Sequence, residues 1–198
     1  MARAAKGAVA RPAAAAQAAE PEGQADLVTA ATRHVALLAA IIATCGSLYF
    51  SEVLGWIPCE LCWYQRILMY PLVVILAAGI LRDDRGVHWY VLPLSLTGMA
   101  VSLYHLLMTL QVIPPADCAG GVPCSVDYLA PYFTGVWSFI RIPGLAFAAF
   151  TIISVMMGNY AIAGAPGFGA ARRRTAGIVA AAIVAATILV FVLMAALR

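Results

Sequence analysis

PCELCWYQRILMYPLVVILAAGIL, residues 58–81, decides the fold. After Arg66 it runs to Leu81 with no charged side chain and without the every-other-residue alternation of an outer-membrane barrel strand. A spanning helix needs about 20 mainly apolar residues, and a helix satisfies its backbone polar groups within its own segment, as hydrocarbon demands. Outward from this stretch, similar runs lie near 34–55, 89–112, 137–158 and 175–197. With 65–81 they predict five transmembrane helices. Composition agrees: hydrophobic residues make up 64% and charged residues 11% of 198, against roughly 45–50% and 25% in soluble domains. The mean hydropathy is +0.92. The expected fold class is therefore an all-α integral membrane protein.

Arginine and lysine are retained on the cytoplasmic side of membrane helices. Arg33, the pair Arg82 and Arg85, and the run Arg172-Arg173-Arg174 flank the N-terminus, the second loop and the fourth loop. Those regions alternate with the two loops that carry cysteine pairs. The expected topology is multi-pass in the cell (inner or cytoplasmic) membrane, with a cytoplasmic N-terminus, both cysteine pairs on the outer face and Arg198 outside. The net charge of +3 follows from this distribution and gives no reason to expect nucleic acid as a partner. Residues 1–32 read as a disordered cytoplasmic tail, Ala-rich and passing from basic to acidic; an organelle transit peptide shares the Arg- and Ala-rich start but is the weaker reading. Residues 159–198 read as a basic cytoplasmic loop and the extra helix. No soluble domain, internal repeat or phosphate-binding loop is evident.

Redox-capable sulfur lies at the outer surface. Cys59 and Cys62 form a CxxC at the start of the second span, and Cys118 and Cys124 lie in the polar loop between the third and fourth. At a helix start the macrodipole and nearby cations favour a thiolate. Cys62 lies near that amino end, and Arg66, four residues on, occupies the same helical face about one turn away. An outward-facing cation also serves as an interfacial anchor, so Arg66 has a structural reading beside the functional one. CxxC is shared with metal sites: four cysteines are enough for a closed tetrahedral zinc site, although the second pair has five intervening residues and the loops would have to meet. No metal is assigned. Two static disulfides stapling the loops are the remaining reading.

The block Pro58–Arg66, the Tyr104-His105 pair thirteen residues ahead of Cys118, and the short CxxxxxC loop resemble the DsbB/BdbC family of bacterial disulfide-generating membrane proteins. The resemblance is closest to the BdbC branch and covers about residues 34–157. It implies a four-helix bundle, here residues 33–158, that reoxidises a secreted or periplasmic thioredoxin-fold thiol oxidase (DsbA-like) and passes two electrons to a membrane quinone, ubiquinone or menaquinone. By position, Cys118 takes the partner's attack, Cys124 attacks Cys59, and Cys62 is left as the thiolate facing the quinone. Arg66 matches the quinone-proximal arginine, and His105 a histidine near the same site. Membrane lipid and quinone are thus expected companions, and the activity is that of a protein-dithiol:quinone oxidoreductase.

Two departures qualify the carry-over. Gln65 stands where the proteobacterial branch has a glutamate, and the Cys118–Cys124 loop is shorter than in that branch. Vitamin K epoxide reductase-like proteins do related chemistry, but their quinone-side CxxC comes late in the bundle. A non-enzymatic scaffold and a metal-binding membrane protein remain as other classes, and two intraloop disulfides or a Cys59–Cys124 bond fit the spacing equally. Elsewhere, Cys45 reads as a mid-span packing residue, and Trp56, Trp63, Tyr64 and Trp137 as an aromatic belt. Arg141 reads as an outward cation touching lipid phosphate. Pro71, Pro93 and Pro143 fall within or at the edge of spans.

Overall fold

The computed structural model describes residues 13–114, 122–132, 140–167 and 169–197, and side chains within 31–114, 122–132, 140–167 and 173–197. Cys118 and Trp137 lie outside the described residues. The helices are α1 (Ala13–Leu48), α2 (Glu60–Arg82), α3 (His88–Thr109), α4 (Ile142–Ile162) and α5 (Gly169–Ala196). Within them, Ala31–Val53, Glu60–Arg82, His88–Thr109, Ile142–Ile162 and Arg173–Ala196 are long and apolar enough to cross a membrane. The chain is a multi-pass, all-helical membrane protein, and no strand occurs among the described residues. α1 extends upstream to Ala13, into the segment read from sequence as a tail; alanine is the strongest helix former.

α1 to α4 form a ring in which each helix packs on its sequence neighbours and α1 closes against α4; α2 and α4 barely touch across the diagonal. α5 lies outside the ring on α1 and α2. Each helix turns one face inward at three- and four-residue intervals: Leu37, Ala40 and Ile41; Met69, Leu72, Leu76 and Ile80; Phe150, Ile153, Met157 and Tyr160. The inward face of α3 is different. Val91, Ser95, Gly98, Ser102, His105 and Thr109 make a stripe of small and polar residues pointing into the bundle. Lipid tails solvate leucine as well as another helix does, so close approach and interhelical hydrogen bonds hold such an interface. Ser154 bonds Ser95 across it at 2.9 Å, and the Phe150 ring occupies the space where a side chain on Gly98 would begin.

The two ends of the bundle are chemically distinct. At one, Arg33 of α1 pairs with Asp83 at 3.0 Å and stacks on Tyr160 at 5.0 Å. His34 meets the Ala176 carbonyl at 3.1 Å and Arg173 the Leu81 carbonyl at 3.2 Å, joining α5 to α1 and α2. At the other end lie Cys59, Cys62 and Cys124. Pro71 and Pro93 sit inside α2 and α3, but Pro143 lies in the first turn of α4. There it costs no intrahelical bond, so it starts that helix rather than kinking it.

Candidate thiol and quinone site

The CxxC spacing matches the geometry of a helix start. Cys59 is the N-cap of α2, with extended backbone (φ −71, ψ 173), and its sulfur accepts the Cys62 N–H at 3.4 Å. A cap side chain normally bonds the amide two or three residues on, so a sulfur at the cap and another three residues later fall together. The two sulfurs are 2.8 Å apart, longer than a bond of about 2.05 Å but close enough to form one after a small shift. The sequence assigned the helix-stabilised charge to Cys62; the geometry gives the capping position to Cys59. The Cys59 thiol is drawn down from 9.0 to about 4, first by the hydrogen bond from Cys62, then by those from His105 and the Cys62 amide, with burial opposing.

His105 connects this helix start to the second cysteine loop. It is 2% exposed on the inward stripe of α3. Its Nε2 lies 2.9 Å from the Cys124 carbonyl oxygen and 3.7 Å from the Cys59 sulfur, and its Nδ1 lies 3.0 Å from the Gln65 side-chain nitrogen. Cys124 is buried and disulfide-bonded, whereas Cys45, Cys59 and Cys62 are free thiols. Cys59, Cys124 and Met108 form one buried cluster.

Arg66 points to the other side of α2. Its guanidinium donates to the Ser47 carbonyl at 3.1 Å and lies 5.4 Å from the Trp63 ring. It borders a cavity of about 640 Å³ whose wall includes Cys62, Gln65, Trp56, Tyr128 and, from α5, Phe191 and Met194. Cys59 and His105 do not line it. The two sulfurs thus differ: Cys62 borders the cavity, whereas Cys59 does not and is buried in the cluster with Cys124, against which Cys62 also packs. Ile42, Leu145 and Ile152 of the cavity wall are exposed apolar side chains on helices long and apolar enough to cross a membrane. Over the site, Trp56 stacks between Phe50 and Tyr128, 5.3 Å from each. Tyr128 donates to the Ile57 carbonyl at 3.1 Å. Trp56 is therefore part of a packed aromatic roof, a role the belt reading did not include. Phe50 lies in a π-helical turn, Tyr49–Val53, a distortion frequent at functional sites.

Donor atoms of Cys59, Cys62 and His105 lie within 4.8 Å of one another, a grouping able to hold a metal ion. It supplies three ligands where structural zinc takes four, and the carbonyl opposite Nε2 requires a proton on that nitrogen, which removes its lone pair. Arg141 is not a lipid-facing cation: it pairs with Asp127 at 3.2 Å and donates to the Thr109 carbonyl, tying the second cysteine loop to α3. Sequence reasoning missed Gln65, Ser47 and this Arg141–Asp127 pair. Gln65 did carry a signal, as an amide within an apolar span, but its direction was not readable.

The family model described as "Disulfide bond formation protein DsbB" matches residues 29–197, which includes α5. "Disulfide bond formation protein C" of Bacillus subtilis (strain 168) is 45% identical over 128 residues, 63% of this chain and 88% of that protein. "Probable disulfide formation protein C" of Halalkalibacterium halodurans is 48% identical over 122 residues, 60% of this chain and 84% of the relative. "Probable disulfide formation protein C 2" of Bacillus cereus (strain ATCC 10987 / NRS 248) is 41% identical over 130 residues, 63% and 88%. No solved structure matches. A CxxC at the start of a membrane helix, a second cysteine loop folded against it, and a family match over nearly all of the membrane-spanning region lead to one assignment: the chain belongs to the DsbB family of disulfide bond formation proteins.

Proposed function

We propose that the chain is a protein-dithiol:quinone oxidoreductase that reoxidises a thioredoxin-fold thiol oxidase outside the cytoplasmic membrane, supporting disulfide formation in secreted proteins. The observation that carries this reading is the difference between the two CxxC sulfurs, with Cys62 on the cavity and Cys59 buried in the cluster with Cys124. The cavity suits a quinone: its walls are apolar and aromatic, and one region presents Arg66, a donor for a carbonyl oxygen. Arg66 would hold the head group, beside Gln65, whose amide nitrogen is bonded to His105. A bound quinone accepts two electrons and two protons. Arg66, kept in place by Ser47 and Trp63, supplies positive charge without having to reorganise.

The thiol steps fall to the chain's own residues. A partner thiolate attacks Cys118 and breaks its bond to Cys124, whose sulfur leaves with the electron pair. Cys124 then attacks Cys59; the Cys59–Cys62 bond breaks and the pair moves to Cys62, on the cavity. The partner's second thiolate breaks the partner–Cys118 bond, closing the partner disulfide and freeing Cys118; Cys118 attacks Cys124 and releases Cys59, and the Cys59 and Cys62 thiolates together give up two electrons to restore their disulfide. The net reaction converts a partner dithiol and a quinone to a partner disulfide and a quinol. For this two-electron couple about 30 mV is worth about 1.4 kcal/mol, so a sufficiently oxidising quinone can drive a strongly oxidising partner back to its disulfide form.

The test is quinone reduction by detergent-purified protein with a reduced thioredoxin-fold donor. Cys62→Ser and Cys118→Ser are expected to abolish turnover, and Arg66→Ala to lower it about 100-fold, as loss of a preorganised charge does. No turnover by folded wild-type protein with either ubiquinone or menaquinone would reject the reading in favour of a scaffold.

A further inference from the structure

His105 was expected near the quinone; it does not line the cavity, and its Nε2 lies between Cys59 and the Cys124 carbonyl. Its hydrogen bonds define a tautomer. A carbonyl oxygen only accepts, so the Nε2 atom facing Cys124 carries a hydrogen; the neutral ring then has its lone pair on Nδ1, where the Gln65 amide donates. Both partners are used and both side chains are buried. Gln65 comes from α2, His105 from α3 and Cys124 from the second cysteine loop, so the chain of hydrogen bonds joins three separate segments. The N–H that holds the Cys124 backbone is also adjacent to the Cys59 sulfur.

Resting on the relay proposed above, we propose that His105, oriented by Gln65, is the positioning residue for sulfur exchange between the two cysteine pairs. It docks Cys124 against Cys59 and makes Cys59, rather than Cys62, the sulfur attacked. In that step the Cys124–Cys59 bond forms, the Cys59–Cys62 bond breaks, and the electron pair passes to the Cys62 sulfur, with no external oxidant. Exchange requires an approach in line with the breaking bond, and negative charge spreads over three sulfurs as it proceeds. Holding the attacker's backbone supplies orientation, and the Nε2–H beside the central sulfur supplies a fixed dipole.

The exchange can be followed without any quinone. In full-length Cys118→Ser protein, Cys124 is free to attack an oxidised Cys59–Cys62 pair; after acid quench and alkylation, mass spectrometry maps the bond formed. The expected product is Cys59–Cys124. His105→Leu is expected to slow its formation about tenfold, the scale of one hydrogen bond to a charged group. His105→Gln keeps an N–H donor at similar reach and is expected to recover most of the rate, and Gln65→Leu to fall between. A purely structural histidine would not be rescued by glutamine. Wild-type exchange in His105→Leu, no advantage of Gln over Leu, a Cys62–Cys124 product, or no exchange at all would each overturn the proposal. If His105→Leu does not fold, Gln65→Leu carries the test, and an unchanged rate there overturns it. Normal exchange in a protein that reduces no quinone would reject the quinone assignment alone.

Discussion

At Cys59 two effects oppose each other: burial favours the neutral thiol, and three hydrogen bonds, from Cys62, His105 and the Cys62 amide, favour the thiolate. The hydrogen bonds prevail, and ionisation moves down to about 4. In reduced Cys124→Ala protein, the thiolate absorption near 240 nm assigned by Cys59→Ser is expected to persist at pH 6 and disappear with a midpoint near 4; a midpoint near 9 would show that the cap does not act on the sulfur. The same shift affects stability. Because the folded value lies below the unfolded one, the thiolate favours the folded reduced protein fully above pH 9, and that contribution is lost as pH falls toward 4. Arg66 borders the cavity, and His105, which does not, bonds Gln65 of the same helix as Arg66.

Among the elements, α3 and α4 depend on close backbone approach. Gly98→Ala gains up to about 1 kcal/mol of helix propensity but pushes a methyl into the fully buried Phe150 ring, an overpacking that costs about 1–3 kcal/mol. Thermal unfolding in detergent is expected to show net destabilisation. Gly158→Ala in α4, where an added Cβ meets nothing within 4 Å, is expected to be neutral or stabilising. α5 is more than an appendage, since Phe191 and Met194 border the cavity and Phe191 packs edge-on to Tyr49 at 6.3 Å. Phe191→Ala is expected to raise the quinone KM about five- to tenfold, equivalent to ~1 kcal/mol of lost apolar contact. An unchanged KM would separate α5 from the cavity's function.

For the whole molecule, the expected orientation follows from where cations collect. In a background with native cysteines replaced by serine, a membrane-impermeant maleimide applied to intact cells is expected to label Tyr132→Cys, near the cysteine end, and to reach Arg85→Cys only after the membrane is opened. The reverse pattern would invert the topology and separate the thiols from a secreted partner. The buried Arg33–Asp83 pair anchors the opposite end. Asp83→Ala is expected to lower stability by about 3 kcal/mol in the same unfolding assay, because it removes a carboxylate from a cation that is 1% exposed.

Five spans, their helical nature and the pairing of cysteines with one end were legible in order along the chain, because each depends on local composition: an apolar run long enough for hydrocarbon, cations beside it, cysteines in the loops between. Even the CxxC was readable as a helix start, since cap spacing is local. What lies across from what was not. That Arg66 meets Ser47, that Arg141 meets Asp127, and that Gln65 turns its amide to His105 depend on the rotation of one helix against another. That rotation is set by the packing of Gly98 on Phe150 and of Leu72 and Leu76 in the core. Sequence by itself determined a membrane-embedded helical protein with redox-capable sulfur at one end; only the tertiary structure decided which sulfur borders the cavity and which joins the buried cluster with Cys124, because residues three apart lie only about 60° from each other around a helix and the neighbours that distinguish them come from other segments.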